Sequence, residues 1–150
     1  MGGGGRGPDG RRRGSQGAVE GAIGARRAAL KRAAGNRVRL WAVHGYGDLN
    51  RRTDRQLAST LKLLLGQVWV TEAAGWVAFG TAWGYDEARA ARAISYTFAL
   101  ARKYRAKIAR WYFYQWRGVP QGTRWDSGVV GVDGTPRPGY RALKQGLAAL

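Results

Sequence analysis

Three short β-prone runs, each followed by a stretch with helical spacing, constrain what this chain can fold into. Val38-Arg39-Leu40-Trp41-Ala42-Val43 ends at His44-Gly45-Tyr46-Gly47. Val68-Trp69-Val70-Thr71 ends at Glu72 and then breaks into Ala73-Ala74-Gly75. The third run extends from Ile108 to Gln115 and ends at Trp116. β-branched and aromatic residues in runs of this length suit strands. Leu57, Leu61, Leu64 and Leu65 recur at three- and four-residue spacing and predict a helix over Thr53 to Leu65. Thr53 or Asp54 is placed to cap its start and Gly66 to end it. A loop from Ala73 to Tyr85 carries Trp76, Phe79 and Trp83, and Asp86 opens a helix to Arg105 with Ile94, Phe98 and Ala101 on its buried face. A Gly-rich loop over 117–135 leads to a last helix from Pro138 to Leu150, with proline suited to its first turn. The order is β-α-β-α-β-α, which implies an α/β fold with parallel strands and right-handed crossovers.

The chain's 150 residues hold one domain with a real core. They are too few for a complete eight-fold βα barrel, which needs about 250. Residues 1–36 differ in texture from 37–150. Met1 to Gly17 is rich in Gly and Arg and is expected to be disordered, because it has too little apolar surface to offset its backbone entropy. Ala18 to Ala34 is an Ala/Arg segment expected to form at most a weakly packed basic helix.

Several functional classes drop out on composition. Cys is absent, so no disulfide or thiolate metal site forms, and a single His argues against a His-based metal centre. No metal-ligand spacing, Gly-rich phosphate loop or Gly-x-Ser-x-Gly elbow is present, and no cofactor is expected. No run of about 20 apolar residues exists. The N-terminus lacks the apolar segment of a secretory signal, so the chain as written reads as cytoplasmic, although a longer parent is compatible with secretion. The net charge of +17 points to a polyanion. Its plainer reading is a GC-rich gene: of 26 basic residues only five are lysines, and Gly and Ala abound.

In parallel βα arrays ligands gather at the carboxyl ends of the strands. Those ends carry His44 and Tyr46, then Glu72, then Trp116. A carboxylate, an imidazole, a phenol and an indole on one face suit carbohydrate chemistry: attack at an anomeric carbon, orientation of the attacking group, and stacking on a sugar ring. Each also has a plainer reading. Glu72 could face solvent, Trp116 could fill the core, and His44 could sit on an ordinary loop. Glu87 reads as structural, favouring the helix start after Asp86. Asp48 and Asp126 are weaker candidates, and Asp126-Ser127-Gly128 reads as a turn.

These residues also carry a family resemblance. Val68-Trp69-Val70-Thr71-Glu72-Ala73-Ala74-Gly75-Trp76 resembles strand seven of the retaining (β/α)8-barrel glycoside hydrolases, in the clan with its acid/base after strand four and its nucleophile after strand seven. Arg110 to Trp116 resembles strand eight, ending in the subsite tryptophan. Trp125 to Val130 and Asp133 to Leu143 resemble the stretch into the last helix, and His44-Gly45-Tyr46 resembles the element after strand six. The resemblance covers about residues 37–150 and implies the last three βα units of a TIM barrel. It implies Glu72 as catalytic nucleophile, Tyr46 and His44 as supports of the catalytic carboxylates, and Trp116 and Trp76 as substrate-binding residues for an oligo- or polysaccharide. The family's acid/base Glu, usually preceded by Asn, has no counterpart here: Glu20, in Ala-Val-Glu-Gly, does not match. The expectation is therefore a fragment of a retaining glycosidase with little activity alone. The alternative is a basic nucleic-acid- or polyanion-binding protein using the Arg-rich leader, since residues 1–39 hold ten basic and two acidic residues. A truncated or frame-shifted gene product is a third reading, prone to association through open sheet edges.

Overall fold

The computed structural model describes residues 25, 28–30, 32, 33 and 37–150. The expectations for Met1 to Gly17, and for most of the segment after it, lie outside the described residues. Those described before residue 37 are helical, and the half-buried Leu30 packs against the core.

The elements run in order β1 (Leu40–His44), α1 (Tyr46–Arg51), α2 (Arg55–Leu63), β2 (Gln67–Ala73), β3 (Ala78–Phe79), α3 (Glu87–Lys103), β4 (Ile108–Phe113), β5 (Trp125–Asp126) and α4 (Pro138–Ala148). β1, β2 and β4 form a parallel sheet in the order β1-β2-β4, so β2 is central and both outer strands have a free edge within that sheet. This is the expected α/β fold, three successive βα units forming an open arc of barrel wall.

The core lies on the helical side of the sheet. Val68, Val70 and Ala73 of β2 have no exposure, and Leu49, Leu57, Leu61 and Leu100 from α1, α2 and α3 pack on them together with Ile108. Burying a valine side chain contributes about 1.5–3 kcal/mol. A second cluster joins Ile94 and Phe98 of α3 to Ala142 and Leu143 of α4 and to Val129 and Val130. Among the described residues, nothing covers the opposite face of the sheet. Leu40 is 49% and Tyr112 44% exposed there, and Trp69 lies between Tyr112, at a ring separation of 6.0 Å, and the Arg110 guanidinium at 5.5 Å.

Four sequence expectations are corrected. An extra helix, α1, follows β1 where a loop was expected, because Leu49 is drawn into the core at zero exposure. The α2 cap is not made by Thr53 or Asp54: the carboxylate of buried Asp48 accepts from the backbone N–H groups of Gln56 (3.3 Å) and Leu57 (2.6 Å). Asp54 instead pairs with Lys103 and accepts from the Tyr104 hydroxyl at 2.6 Å. Gly66, at φ 80°, lies past the helix end, where a Cβ would stand 2.2 Å from the Arg39 carbonyl oxygen, so close strand approach, not helix capping, requires it. The two long loops also pair with each other as an antiparallel ribbon, with Ala78 opposite Asp126 and Phe79 opposite Trp125. Smaller differences fall at element ends: β1 starts at Leu40 instead of Val38, β4 stops at Phe113, α3 at Lys103 and α4 at Ala148. Ala101 is only half-buried, and Ala90, Ala93, Thr97 and Leu100 complete the α3 core face.

That ribbon is tied to the helices by one buried cation. The Arg137 Nη1 contacts the Asp126 carboxylate at 3.0 Å and donates to the Gly128 carbonyl at 3.1 Å, while its Nε meets Glu87 at 3.1 Å. The expected turn over 126–128 forms, with the Gly128 N–H donating to Asp126 at 2.9 Å.

Replacing Arg137 with Met should cost about 3–5 kcal/mol, because Asp126 is left buried and charged without its partner. Adding Asp126→Asn should recover part of that loss, read from urea midpoints of the single and double variants. Gly75 abuts α3, where an added Cβ would stand 2.0 Å from the Ala90 carbonyl oxygen. Gly75→Ala should therefore lower stability by about 2 kcal/mol or more in the same measurement.

Candidate active site

Strict alternation along β2 would send Glu72 to the same side as Val68 and Val70, into the helical core. A β-bulge prevents this. Val43 pairs with Val70, but the next residue of β1, His44, pairs with Glu72, so β2 carries one extra residue there. On the other side Val70 pairs with Trp111 and Ala73 with Phe113, three steps against two. The phase slips at Thr71–Glu72: Ala73 takes the fully buried side and the Glu72 side chain emerges at the carboxyl end of the sheet, 38% exposed. Bulges of this kind re-aim side chains beside functional sites.

Two expected partners reach that carboxylate. The Tyr46 hydroxyl donates to Glu72 Oε2 at 3.1 Å, and His44 Nε2 stands 3.7 Å from Oε1. The two ring systems meet edge to face at 6.3 Å. Gly45 joins them at the turn, its N–H donating to the Glu72 carbonyl at 2.9 Å, so both side chains leave the backbone beside the strand end they serve. Tyr46 also lies 3.5 Å from the Tyr114 carbonyl, which links the site to the chain leaving β4. Burial first, and then the adjacent Glu72 carboxylate, push the Tyr46 phenol far above its ordinary value of 10.0. It therefore remains a proton donor to Glu72 across the neutral range.

Tyr46 is held by an aromatic nest. Its ring stacks on Trp76 at 6.1 Å and meets Trp125 edge-on at 4.9 Å, with Phe79 and Trp83 packed behind Trp76. Asn50 locks this layer in place. Its amide donates to the carbonyls of Tyr46 (2.9 Å) and Ala74 (3.0 Å), and its oxygen accepts from the backbone N–H of Trp76 at 2.7 Å.

Sequence reasoning singles out neither Asn50 nor Trp125. Asn50 sits at the end of an unexpected helix, and Trp125 acts through an unexpected ribbon. Trp76 departs from its expected substrate-binding placement: it is only 6% exposed and lies behind Tyr46, positioning the phenol instead of offering a free ring face. Trp116 is 60% exposed on the loop after β4, edge-on to Tyr140 at 5.7 Å, so it does not fill the core. Its contacts are with that loop and α4, whereas His44, Tyr46 and Glu72 form a mutually touching group.

The other described carboxylates are engaged elsewhere. Asp48 caps α2, and Asp54 pairs with Lys103. Asp86 caps α3 by accepting from the Arg89 N–H, Glu87 and Asp126 hold Arg137, and Asp133 accepts from Thr135. No three His, Asp or Glu side chains gather as metal ligands among the described residues. Within that same range no helix is long and apolar enough to cross a membrane.

Neither a protein-family description nor a curated protein matches the chain by sequence. Solved structures do match its fold. A GH2 beta-galacturonidase from Eisenbergiella tayi bound to glycerol superposes with a TM-score of 0.55 at 14% identity, over 75% of this chain and 24% of its own. The native form of CbXyn10B gives 0.56 at 16% identity, over 83% of this chain and 43% of its own. Native xylanase 10B from Thermotoga maritima gives 0.54 at 14% identity, over 82% and 41%. The chain thus has the fold of part of a TIM barrel, as in these structures. It spans about a quarter to two-fifths of the length of these structures.

The unfolded phenol loses its proton near 10.0, before the folded one does, so Tyr46 contributes stability that is fully present below that pH and falls above it. The stability advantage of the parent over Tyr46→Phe should be constant up to about pH 9 and shrink from about pH 10 upward. Denaturant midpoints of the two proteins at each pH give the difference.

Proposed function

We propose that residues 37–150 form the C-terminal part of a retaining glycoside hydrolase domain, with Glu72 as its nucleophile. The observation that carries this reading is the bulge that turns Glu72 out of the core to the carboxyl end of the sheet, where the Tyr46 hydroxyl meets it at 3.1 Å. The fold shared with beta-galacturonidase and xylanase structures supports it. The substrate class is an O-linked oligo- or polysaccharide, with Trp116 offering an exposed ring face to a sugar.

The mechanism follows from the charges. The Glu72 carboxylate attacks the anomeric carbon and forms a glycosyl ester as the bond to the leaving oxygen breaks. Tyr46, donating to the second carboxylate oxygen, orients Glu72 and stabilises the negative charge that returns to Glu72 when the ester is later cleaved by water. His44, 3.7 Å from the other oxygen, flanks the same carboxylate. A retaining enzyme needs a second carboxyl group about 5–5.5 Å away to protonate the departing oxygen. Each other described carboxylate is committed elsewhere, so we assign that proton donor to residues beyond 37–150. Residues 1–36 we read as a basic leader outside the catalytic unit. On this reading the chain alone hydrolyses ordinary glycosides slowly or not at all.

The first half-reaction can be isolated. A dinitrophenyl 2-deoxy-2-fluoroglycoside carries a leaving group that departs without an acid and yields an ester that hydrolyses slowly. Incubated with a panel of xylosyl, galactosyl and galacturonosyl probes, the purified chain should release about one equivalent of dinitrophenolate with its matching sugar. It should gain the sugar's mass on the peptide containing Glu72, and Glu72→Gln should do neither. Labelling on another residue, labelling that survives Glu72→Gln, or no labelling across the panel would count against the proposal.

A further inference from the structure

Ser127, in the turn after β5, has no part in the mechanism above, yet it is only 1% exposed and lies close to the phenol that serves Glu72. Its hydroxyl is fully committed. The oxygen accepts from the Gln115 backbone N–H at 3.1 Å and from the Trp125 indole N–H at 3.2 Å. The Tyr114 carbonyl lies 2.8 Å away. A serine hydroxyl has two lone pairs and one proton. Gln115 and Trp125 present N–H groups that can only donate, so the Ser127 proton goes to the Tyr114 carbonyl.

That carbonyl is also the second acceptor within reach of Tyr46. The phenol has one proton and two oxygens before it: Glu72 Oε2 at 3.1 Å and the Tyr114 carbonyl at 3.5 Å. A carbonyl left without its donor would compete for the phenol proton. With Ser127 serving that carbonyl, the Tyr46 proton is left to the carboxylate, the stronger acceptor. The chain leaving β4 is pinned on both sides of this point. The Tyr114 N–H donates to the Ala73 carbonyl at 3.1 Å, and the Trp116 carbonyl accepts from the Val129 and Val130 N–H groups. Trp125, the indole donor to Ser127, also meets the Tyr46 ring edge-on at 4.9 Å.

We propose that Ser127 is a positioning residue that directs the Tyr46 proton to Glu72. It acts through the Tyr114 carbonyl, by occupying the acceptor that would otherwise draw the phenol away. Its consequence for catalysis rests on Glu72 being the nucleophile; the placement of the proton does not. If Ser127 only satisfied the backbone of residues 114 and 115, its loss would be felt equally with or without the Tyr46 hydroxyl.

The test is a double-variant cycle between Ser127→Ala and Tyr46→Phe in the full chain, read first by urea unfolding. In the parent, the Tyr46 hydroxyl can turn to the Tyr114 carbonyl when Ser127 is lost. In Tyr46→Phe no hydroxyl is there to turn. Ser127→Ala should therefore lower the folding constant about fivefold more in the Tyr46→Phe background, the worth of one hydrogen bond. An equal or smaller loss in that background overturns the proposal. This readout involves no sugar, so it stands apart from the glycosidase reading. The second readout is labelling of Glu72 by the matching dinitrophenyl 2-deoxy-2-fluoroglycoside. At saturating probe Ser127→Ala should slow labelling about tenfold, with the half-saturating concentration little changed. Tyr46→Phe should slow it as much, and the double variant no further. A parent that labels, beside a Ser127→Ala variant that labels at the parental rate, also overturns the proposal. No labelling of the parent would remove the glycosidase reading and leave the unfolding cycle to decide where the proton goes. Ser127→Cys, which places a weak donor at the same position, should show both patterns and replaces Ser127→Ala if that variant does not fold.

Discussion

Water is excluded from one side of β2, and the rest of the structure is arranged around that exclusion. Val68, Val70 and Ala73 have zero exposure because α1, α2 and α3 cover them while β1 and β4 flank them. A central strand sealed in this way cannot slip by one residue, since a slip would drive Trp69 and Thr71 into the helices and carry the valines out. The fixed strand in turn sets the level at which β1 and β4 end. It thereby fixes where His44, Glu72 and the chain after Phe113 meet.

The site depends on a deliberate break in that order. With regular pleating the carboxylate would be buried beside Val70, an expensive place for a charge. The extra residue at Thr71 lets the strand remain buried up to Val70, deliver Glu72 to the open end, and bury again at Ala73. Around the emerging carboxylate the environment is asymmetric. On one side the Tyr46 phenol is backed by Trp76 and Trp125, and on the other side lies the more exposed His44. Arg137 secures the aromatic side from a distance: it ties the start of α3 and the entry to α4 to Asp126, whose neighbour Trp125 meets Tyr46.

The sheet face opposite the helices has a different character. Leu40, Trp69, Arg110 and Tyr112 line it, three of them large and apolar or aromatic, and nothing in the described chain covers it. In closed βα barrels the corresponding face is filled by layers of side chains from all the strands. The solved structures that share this fold are two to four times longer than the part that matches.

Much of this was legible in the order of residues. Three β-prone runs separated by leucine and alanine periodicities specify parallel βα units, because each strand and helix is a local pattern repeated over several residues. The convergence of His44, Tyr46 and Glu72 was legible too, since parallel strands bring their carboxyl ends to one side. What the sequence could not disclose depends on contacts between distant segments. The bulge at Thr71–Glu72 exists only as a mismatch between β2 and its two neighbours. The ribbon joining Ala78–Phe79 to Trp125–Asp126 links two loops without periodicity. Asp48 rather than Asp54 caps α2, because Lys103 and Tyr104 claim Asp54 from another helix. Trp76 reads as a sugar platform in one dimension and becomes the backing of Tyr46 in three, because Phe79, Trp83 and Trp125 close around it. The residues alone determined which groups stand at the strand ends; tertiary packing decided which way they face, because direction is set by the pairing of strands far apart in the chain.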